Sequence, residues 1–356
     1  MNISYSYKRK NRIELLDTWL KRSGTCPLSI NLLEHEVGMG GRNLLPELRA
    51  LQTEIATLLV SQSHRWKAID LHFSRKLPSV LGQLNPGSLP ILESAKVESC
   101  DPMRTGAYWE EKFVDLDNFW NTIHASPLFR NAHWDIEYCC HQYRHQRLRN
   151  VPWKQLTTMD VAMPVDFLLE IIPFCQNLTD LHFTDHRWTH PLTARGLSLP
   201  DVRLDSPIIL PRLRNLSLST TVSTDVVLEN LTLPSLISFS LHQSLCGGMV
   251  NPKPSTFENL LARSNCRLQK YSYDYSILGA GGEDILLEIL GSLRMSFLID
   301  LTVCGSREMR SLIPFLIRLL GDPAHLPNLT RLTIADMGPL PAALEEIALS
   351  RLISLD

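Results

Sequence analysis

Apolar residues recur along the chain at the first, fourth and sixth positions of a six-residue phrase. Clear instances are Leu178-Leu181-Phe183, Leu213-Leu216-Leu218, Leu236-Phe239-Leu241, Leu298-Leu301-Val303 and Leu329-Leu332-Ile334. Looser ones are Trp66-Ile69-Leu71, Leu92-Ala95-Val97, Leu156-Met159-Val161 and Leu268-Tyr271-Tyr273, and a degenerate unit falls between Phe129 and Tyr138. Alternation over the last three positions predicts a strand with one apolar face: Leu216 and Leu218 point one way, while Asn215, Ser217 and Ser219 point the other. The words around the phrase also repeat, as in "LPNLTRLTIAD" from Leu326, "LPRLRNLSLST" from Leu210, "LPSLISFSLHQ" from Leu233 and "QNLTDLHFTD" from Gln176.

The spacing is irregular, 22 residues from Leu156 to Leu178 but 35 from Leu178 to Leu213. Strands of this pattern at such a period are those of leucine-rich repeats, in which each strand needs its neighbours to bury its apolar row. The return segments read as helices. In "STFENLLARS", Ser255 is placed to cap and Glu258 follows three residues on, with Phe257, Leu260 and Leu261 at helical spacing. "GGEDILLEILGSLRM" carries Ile285, Leu286, Ile289, Leu290 and Leu293 on one face behind Glu283 and Asp284. "SREMRSLIPFLIRLLG" continues the series, with Pro314 expected to bend the helix or start it late. "PVDFLLEIIPFC" and "YWEEKFVDLDNFWNTI" are similar, whereas Gly196 to Leu210 and Cys246 to Pro254 read as loops. The expected fold is α/β: an irregular leucine-rich-repeat solenoid with a mostly parallel sheet on the concave face and helices and loops on the convex face. It forms one domain over 1–356, with a polar tail at 1–14, an entry segment at 15–62 and repeats over 63–356.

Composition narrows the function classes. The chain has 356 residues, 44% hydrophobic and 20% charged, with a formal net charge of −2, so no broad positive field draws it to nucleic acid or anionic membrane. The eight cysteines are scattered and too sparse for a disulfide framework, which fits reduced thiols in the cytoplasm or nucleus. The opening "MNISYSYKRKNRIELLDTWLKRSG" has no apolar leader segment, and no stretch is long and apolar enough for a spanning helix.

Near the start stand "LLDTWLKRSGTCPLSINL", Leu15 to Leu32, and "SHRWKAIDLHF", Ser63 to Phe73. Both resemble the repeat region of the F-box-like leucine-rich-repeat family of mushroom-forming fungi, where a helix ending in "RSG" leads into a "CPLSI" strand and "HRW" opens a repeat strand. The resemblance implies a substrate-recognition subunit of a cullin-RING ubiquitin ligase, its repeats binding a protein target and an N-terminal F-box docking the ligase adaptor. Only Met1 to Glu14 precede the first phrase, too few for an F-box, so an adaptor is expected as a partner only if an F-box lies upstream of this chain. The alternative is a repeat scaffold with no ubiquitin connection.

Candidate chemistry elsewhere is weak. In "HFTDHRWTH", His182, His186 and His190 recur at intervals of four, which aligns imidazoles on a helix but not on the strand expected here. Cys139, Cys140, His141 and His145 in "EYCCHQYRHQR" lack a second pair at finger-like spacing. "LGAGGED" lacks the lysine and hydroxyl of a P-loop and runs into two acids. The sequons at Asn177, Asn215, Asn230 and Asn328 read as repeat asparagines in the absence of a leader, and "KRKNR" at Lys8 to Arg12 is a short basic run. Neither "GTCPLS" nor "GSLPIL" is a hydrolase elbow, so no enzyme, cofactor or metal is expected. The expected functional surface is the solvent row of the sheet: Asp180, His182, Ser217, Ser240, His242, Ser272, Asp274, Asp300 and Thr302.

Overall fold

The structure is a computed structural model that describes residues 2–4, 10–33, 46–73, 79–99, 114–135, 150–185, 204–220, 224–243, 253–275, 282–305, 312–322, 324–335, 342–350 and 354–355. It is mixed α/β, and the chain divides into two compact units, Met1–Leu156 and Thr157–Asp356. Coils that contact chiefly their sequence neighbours allow such a division without any change of local pattern.

In the first unit β1 (Asn2–Ser4), β2 (Leu28–Leu33), β3 (Trp66–Phe73), β4 (Ser94–Ser99) and β5 (Asn131–Asp135) lie side by side in chain order, all parallel. The intervening helices are α1 (Lys10–Arg22), α2 (Pro46–Val60), α3 (Ser79–Gly82) and α4 (Val114–His124). The stretch read as a polar tail therefore contains a strand and the start of a helix. Its helical period begins at Ile13, which leads into the buried Leu16 and Leu20, so the apolar stripe starts inside the supposed tail. The degenerate unit after Phe129 carries a strand, with Phe129, Ala132 and Trp134 buried.

In the second unit eight parallel strands follow one another: β6 (Thr158–Ala162), β7 (Asp180–Asp185), β9 (Asn215–Thr220), β11 (Ser238–Gln243), β12 (Lys270–Tyr275), β13 (Asp300–Gly305), β14 (Arg331–Ala335) and β15 (Ser354–Leu355). Helices α5 (Val165–Ile171), α6 (Asp225–Glu229), α7 (Pro254–Ser264), α8 (Gly282–Gly291), α9 (Leu312–Gly321) and α10 (Ala342–Ser350) fall between them. The segment read as a loop before Leu210 carries β8 (Ile208–Ile209), which pairs with β10 (Leu231–Thr232) as a separate two-stranded sheet. Two residues give no alternation to read, so only the partner two dozen residues on makes this a strand.

The repeated words now have a structural meaning. In four Leu-Pro-x-Leu words the last N–H donates to the first carbonyl, Leu92 to Leu89 at 3.3 Å, Leu213 to Leu210 at 3.4 Å, Leu236 to Leu233 at 3.1 Å and Leu329 to Leu326 at 3.1 Å. This is a tight turn whose proline presets the second position, and both leucines are buried. The next two N–H groups then converge on one carbonyl of the preceding coil. Thr179 and Asp180 donate to Thr157, Arg214 and Asn215 to Thr179, Ile237 and Ser238 to Arg214, Gln269 and Lys270 to Ile237, Ile299 and Asp300 to Gln269, and Thr330 and Arg331 to Ile299. Each acceptor occupies the same place in its coil, so the bonds form a ladder that fixes register before the strand begins. The result is unbroken apolar rows such as Met159–Leu181–Leu216–Phe239–Tyr271–Leu301–Leu332, all buried.

Two helix starts differ from or refine the sequence reading. Helix α7 begins at Pro254, after Lys253, so Ser255 lies inside the first turn and does not cap it. Proline at the first position needs no donor of its own, and the entry is held instead by Asp225 Oδ1, which accepts from the N–H of Lys253 at 2.9 Å. Helix α9 starts late, at Leu312, leaving Pro314 in the first turn where no earlier carbonyl is owed a partner.

The phrases ending α1 and opening β3 meet at a single side chain. Arg65 is 4% exposed. It donates from Nε to the Cys26 carbonyl at 3.0 Å, from Nη1 to Gln62 Oε1 at 2.9 Å and the Leu20 carbonyl at 3.4 Å, and from Nη2 to Ser23 Oγ at 2.7 Å. Gly24, at φ +55°, turns the chain between helix and strand in a region glycine enters without strain. Trp66 beside it is buried and donates its indole N–H to the Leu59 carbonyl at 3.1 Å.

Candidate functional site: the polar face of the second unit's parallel strands

Because the strands are parallel and in register, residues at the fifth position of each phrase line up across the sheet. The row runs Asp160, His182, Ser217, Ser240, Ser272, Thr302, Thr333. One residue earlier on each strand's polar side, the third positions give Thr158, Asp180, Asn215, Ser238, Lys270, Asp300 and Arg331. A third row contains Thr184, Ser219, His242, Asp274 and Cys304. The opposite side of every strand is the apolar core, so all nine expected residues, Asp180, His182, Ser217, Ser240, His242, Ser272, Asp274, Asp300 and Thr302, fall on one face in three parallel rows.

The middle row is short: five hydroxyl side chains, from Ser217 to Thr333, follow one another on neighbouring strands. The flanking row is charged and internally bonded. Asp180 accepts from Thr179 Oγ1 at 2.6 Å and from Asn215 Nδ2, while Arg331 Nη1 lies 3.8 Å from Asp300 Oδ2. At one end His182 Nε2 lies 4.0 Å from Asp160 Oδ1, and its ring sits 6.2 Å from that of His242, the two imidazoles straddling β9. Beneath them the Ser217 hydroxyl is buried with no hydrogen-bond partner. In the first unit the corresponding row is Asn31, Asp70, Lys96 and His133, longer and more charged, with Asn31 Nδ2 donating to Asp70 Oδ2 at 3.3 Å.

Asp160 and Thr333 complete the middle row, and Thr158, Asn215, Ser238, Lys270 and Arg331 the flanking one; none of them is among the nine residues expected on the functional surface. Their signal was available: each holds the third or fifth position of its own phrase. The asparagines of the sequons serve the coils. Asn230 is buried, donating to the Val226 carbonyl at 2.8 Å and accepting from the Leu204 N–H at 3.0 Å. Asn328 donates to the Ser296 carbonyl at 2.7 Å, and Asn177 accepts from Arg212 Nη1 at 2.8 Å.

Among the described residues no group of three or more His, Cys, Asp or Glu side chains is arranged to hold a metal ion. Cys26, Cys175, Cys266 and Cys304 form no disulfide. No described helix is long and apolar enough to cross a membrane. His186, His190, Cys139, Cys140, His141, His145 and the Leu278 to Gly281 portion of the glycine-rich stretch lie outside the described residues.

No family model matches the chain, and no curated protein matches it. Among solved structures, it is similar to a crystal structure of a Bacteroides fragilis protein from a structural genomics consortium, with a TM-score of 0.44 and 13% identity over 84% of this chain and 76% of that one.

Proposed function

We propose that this chain is a non-catalytic leucine-rich-repeat module that binds a protein partner across the polar face of the parallel strands of its second unit. The observation carrying this reading is the register itself: five consecutive short hydroxyl side chains form a shallow floor, bordered by Lys270, Asp300 and Arg331 on one side and His242 on the other. Short side chains let a partner's backbone approach, and the charged border sets orientation and excludes wrong partners more than it adds affinity. The phrase resemblance, with its two phrases joined through Arg65, favours the target-recognition region of an F-box ubiquitin-ligase subunit as the particular form of this module. A scaffold free of the ligase is the competing form.

A photo-crosslinking amino acid placed at Ser272, on the floor, is expected to capture a partner from native extract, and the same probe at Glu258, exposed on α7, is not. Equal capture at both positions, or capture from α7 alone, refutes the assignment of the face. Expressing the native transcript and testing for bound ligase adaptor separates the two forms: recovered adaptor supports the ligase subunit, and a captured target without adaptor supports the scaffold.

A further inference from the structure

His124 is the last residue of α4 and is 5% exposed. Its ring stacks on Trp120, with centroids 5.4 Å apart and planes at 29°, meets Trp134 edge-on at 5.8 Å, and lies 6.1 Å from Phe129. Trp134 in turn packs 5.8 Å from Trp120 and 5.7 Å from Trp153. Neither ring nitrogen of His124 has a hydrogen-bond partner, and neither does the buried indole N–H of Trp134.

We propose that His124 is an acid-sensitive switch in the first unit: protonation of its ring drives open the aromatic nest of Trp120, Phe129 and Trp134. A neutral imidazole can be held among aromatic rings at the cost of one unsatisfied donor. A protonated one brings a second donor and a full charge, with no acceptor to receive either. Two effects favour the cation, the carbonyls at the end of α4 and the face of Trp120, but desolvation outweighs them. Burial pushes the imidazole down from its ordinary 6.5 to about 3. Among the described side chains, the titratable and charged groups on the surrounding elements are Asp117 on α4, Glu93 and Lys96 at β4, Arg130 and His133 at β5, and Lys154 beside Trp153. Burial is the cause of the depression.

The sign follows from which state takes up the proton. The opened state binds it near pH 6.5 and the closed state only near 3, so the closed form is fully favoured above 6.5 and loses ground as pH falls through that window. One such group lowers the closed-to-open ratio about tenfold for each pH unit below 6.5. Because Trp134 lies on β5, opening the nest removes the buried support of that strand.

The test is urea unfolding of the full chain, followed by tryptophan fluorescence from pH 7.5 to 4.5, for wild type, His124→Phe and His124→Gln. Phenylalanine keeps a flat ring in the nest but cannot take a proton. The expected result is a wild-type folded-to-unfolded ratio that falls about 50-fold further than that of His124→Phe between pH 6.5 and 4.5. Parallel pH profiles overturn the proposal. If neither variant folds, ring NMR of wild type decides: a His124 signal that keeps its neutral shift until unfolding begins supports the switch, and reversible titration near pH 6.5 within the folded protein overturns it.

Discussion

Arg65 Nη2 donates to Ser23 Oγ at 2.7 Å, joining residues 42 positions apart. With its bonds to the carbonyls of Leu20 and Cys26, this guanidinium spans the end of α1, the turn through Gly24 and the entry to β2. Removing it takes the donor from four acceptors, at Leu20, Ser23, Cys26 and Gln62. Arg65→Met is expected to destabilise the first unit by about 2–4 kcal/mol, since hydrogen bonds to a charged group are each worth roughly 1.5–3 kcal/mol and the methionine recovers some packing. Arg65→Lys should recover less than half of the loss, because an ammonium cannot reproduce the planar fork. Urea midpoints at constant slope measure both.

The ring of Tyr271 packs in the core against those of Phe239 and Phe257, with centroids 6.0 and 5.8 Å away, and its buried hydroxyl has no hydrogen-bond partner. Burial, and then the neighbouring Tyr273, raise the phenol well above its ordinary range. Tyr271→Phe is therefore expected to raise stability by about 1 kcal/mol, the desolvation cost of one unpaired polar group, whereas Tyr271→Ala should cost about 3–5 kcal/mol through the cavity it leaves. Thermal melting of the two variants checks the pair, and a destabilising Phe substitution would show that the hydroxyl is bonded.

On β14, Leu332 and Thr333 are adjacent but face opposite ways, the first buried in the apolar row and the second at the end of the hydroxyl row. Leu332→Ala should cost about 2–5 kcal/mol, and Thr333→Ala less than about 0.5 kcal/mol, the usual range for a surface position. Partner capture should respond the other way, falling for a bulky charged replacement at Thr333 and unchanged for conservative core changes. A one-residue error in register would exchange the two stability values.

Cys175 is completely buried and its thiol is pushed up to about 12 by desolvation, with Sγ 3.8 Å from the Ile171 carbonyl. Cys26 is exposed. At pH 8 a disulfide reagent is expected to modify Cys26 at once and Cys175 only at the rate at which its coil opens, because the thiolate is the reactive form. Peptide mapping of the modified thiols over time distinguishes them, and rapid labelling of Cys175 would contradict its burial.

The strand of each coil, its inward residues and the turn before it were legible because they rest on local rules. Alternation places Leu216 and Leu218 together, and Leu-Pro-x-Leu closes its own turn within four residues. The late start of α9 at Leu312, with Pro314 in its first turn, follows from the same short-range chemistry. Where one local signal competed with another the reading slipped, as at α7, where proline at the first helical position displaced the expected serine cap.

The amino-acid sequence by itself thus determined an α/β protein of repeated strand and return segments, and which side of each strand faces the core. Only the tertiary structure decided how those strands stand against one another. Alignment of Ser217, Ser240, Ser272 and Thr302 into one row depends on the carbonyl ladder between coils, and each step of it spans 22 to 35 residues in the second unit. The Arg65 junction, the β8–β10 pair and the nest around His124 likewise bring together segments that no local period relates. Their partners are chosen by burial and hydrogen-bond satisfaction across the folded coils, and those forces act on distance in space and not along the chain.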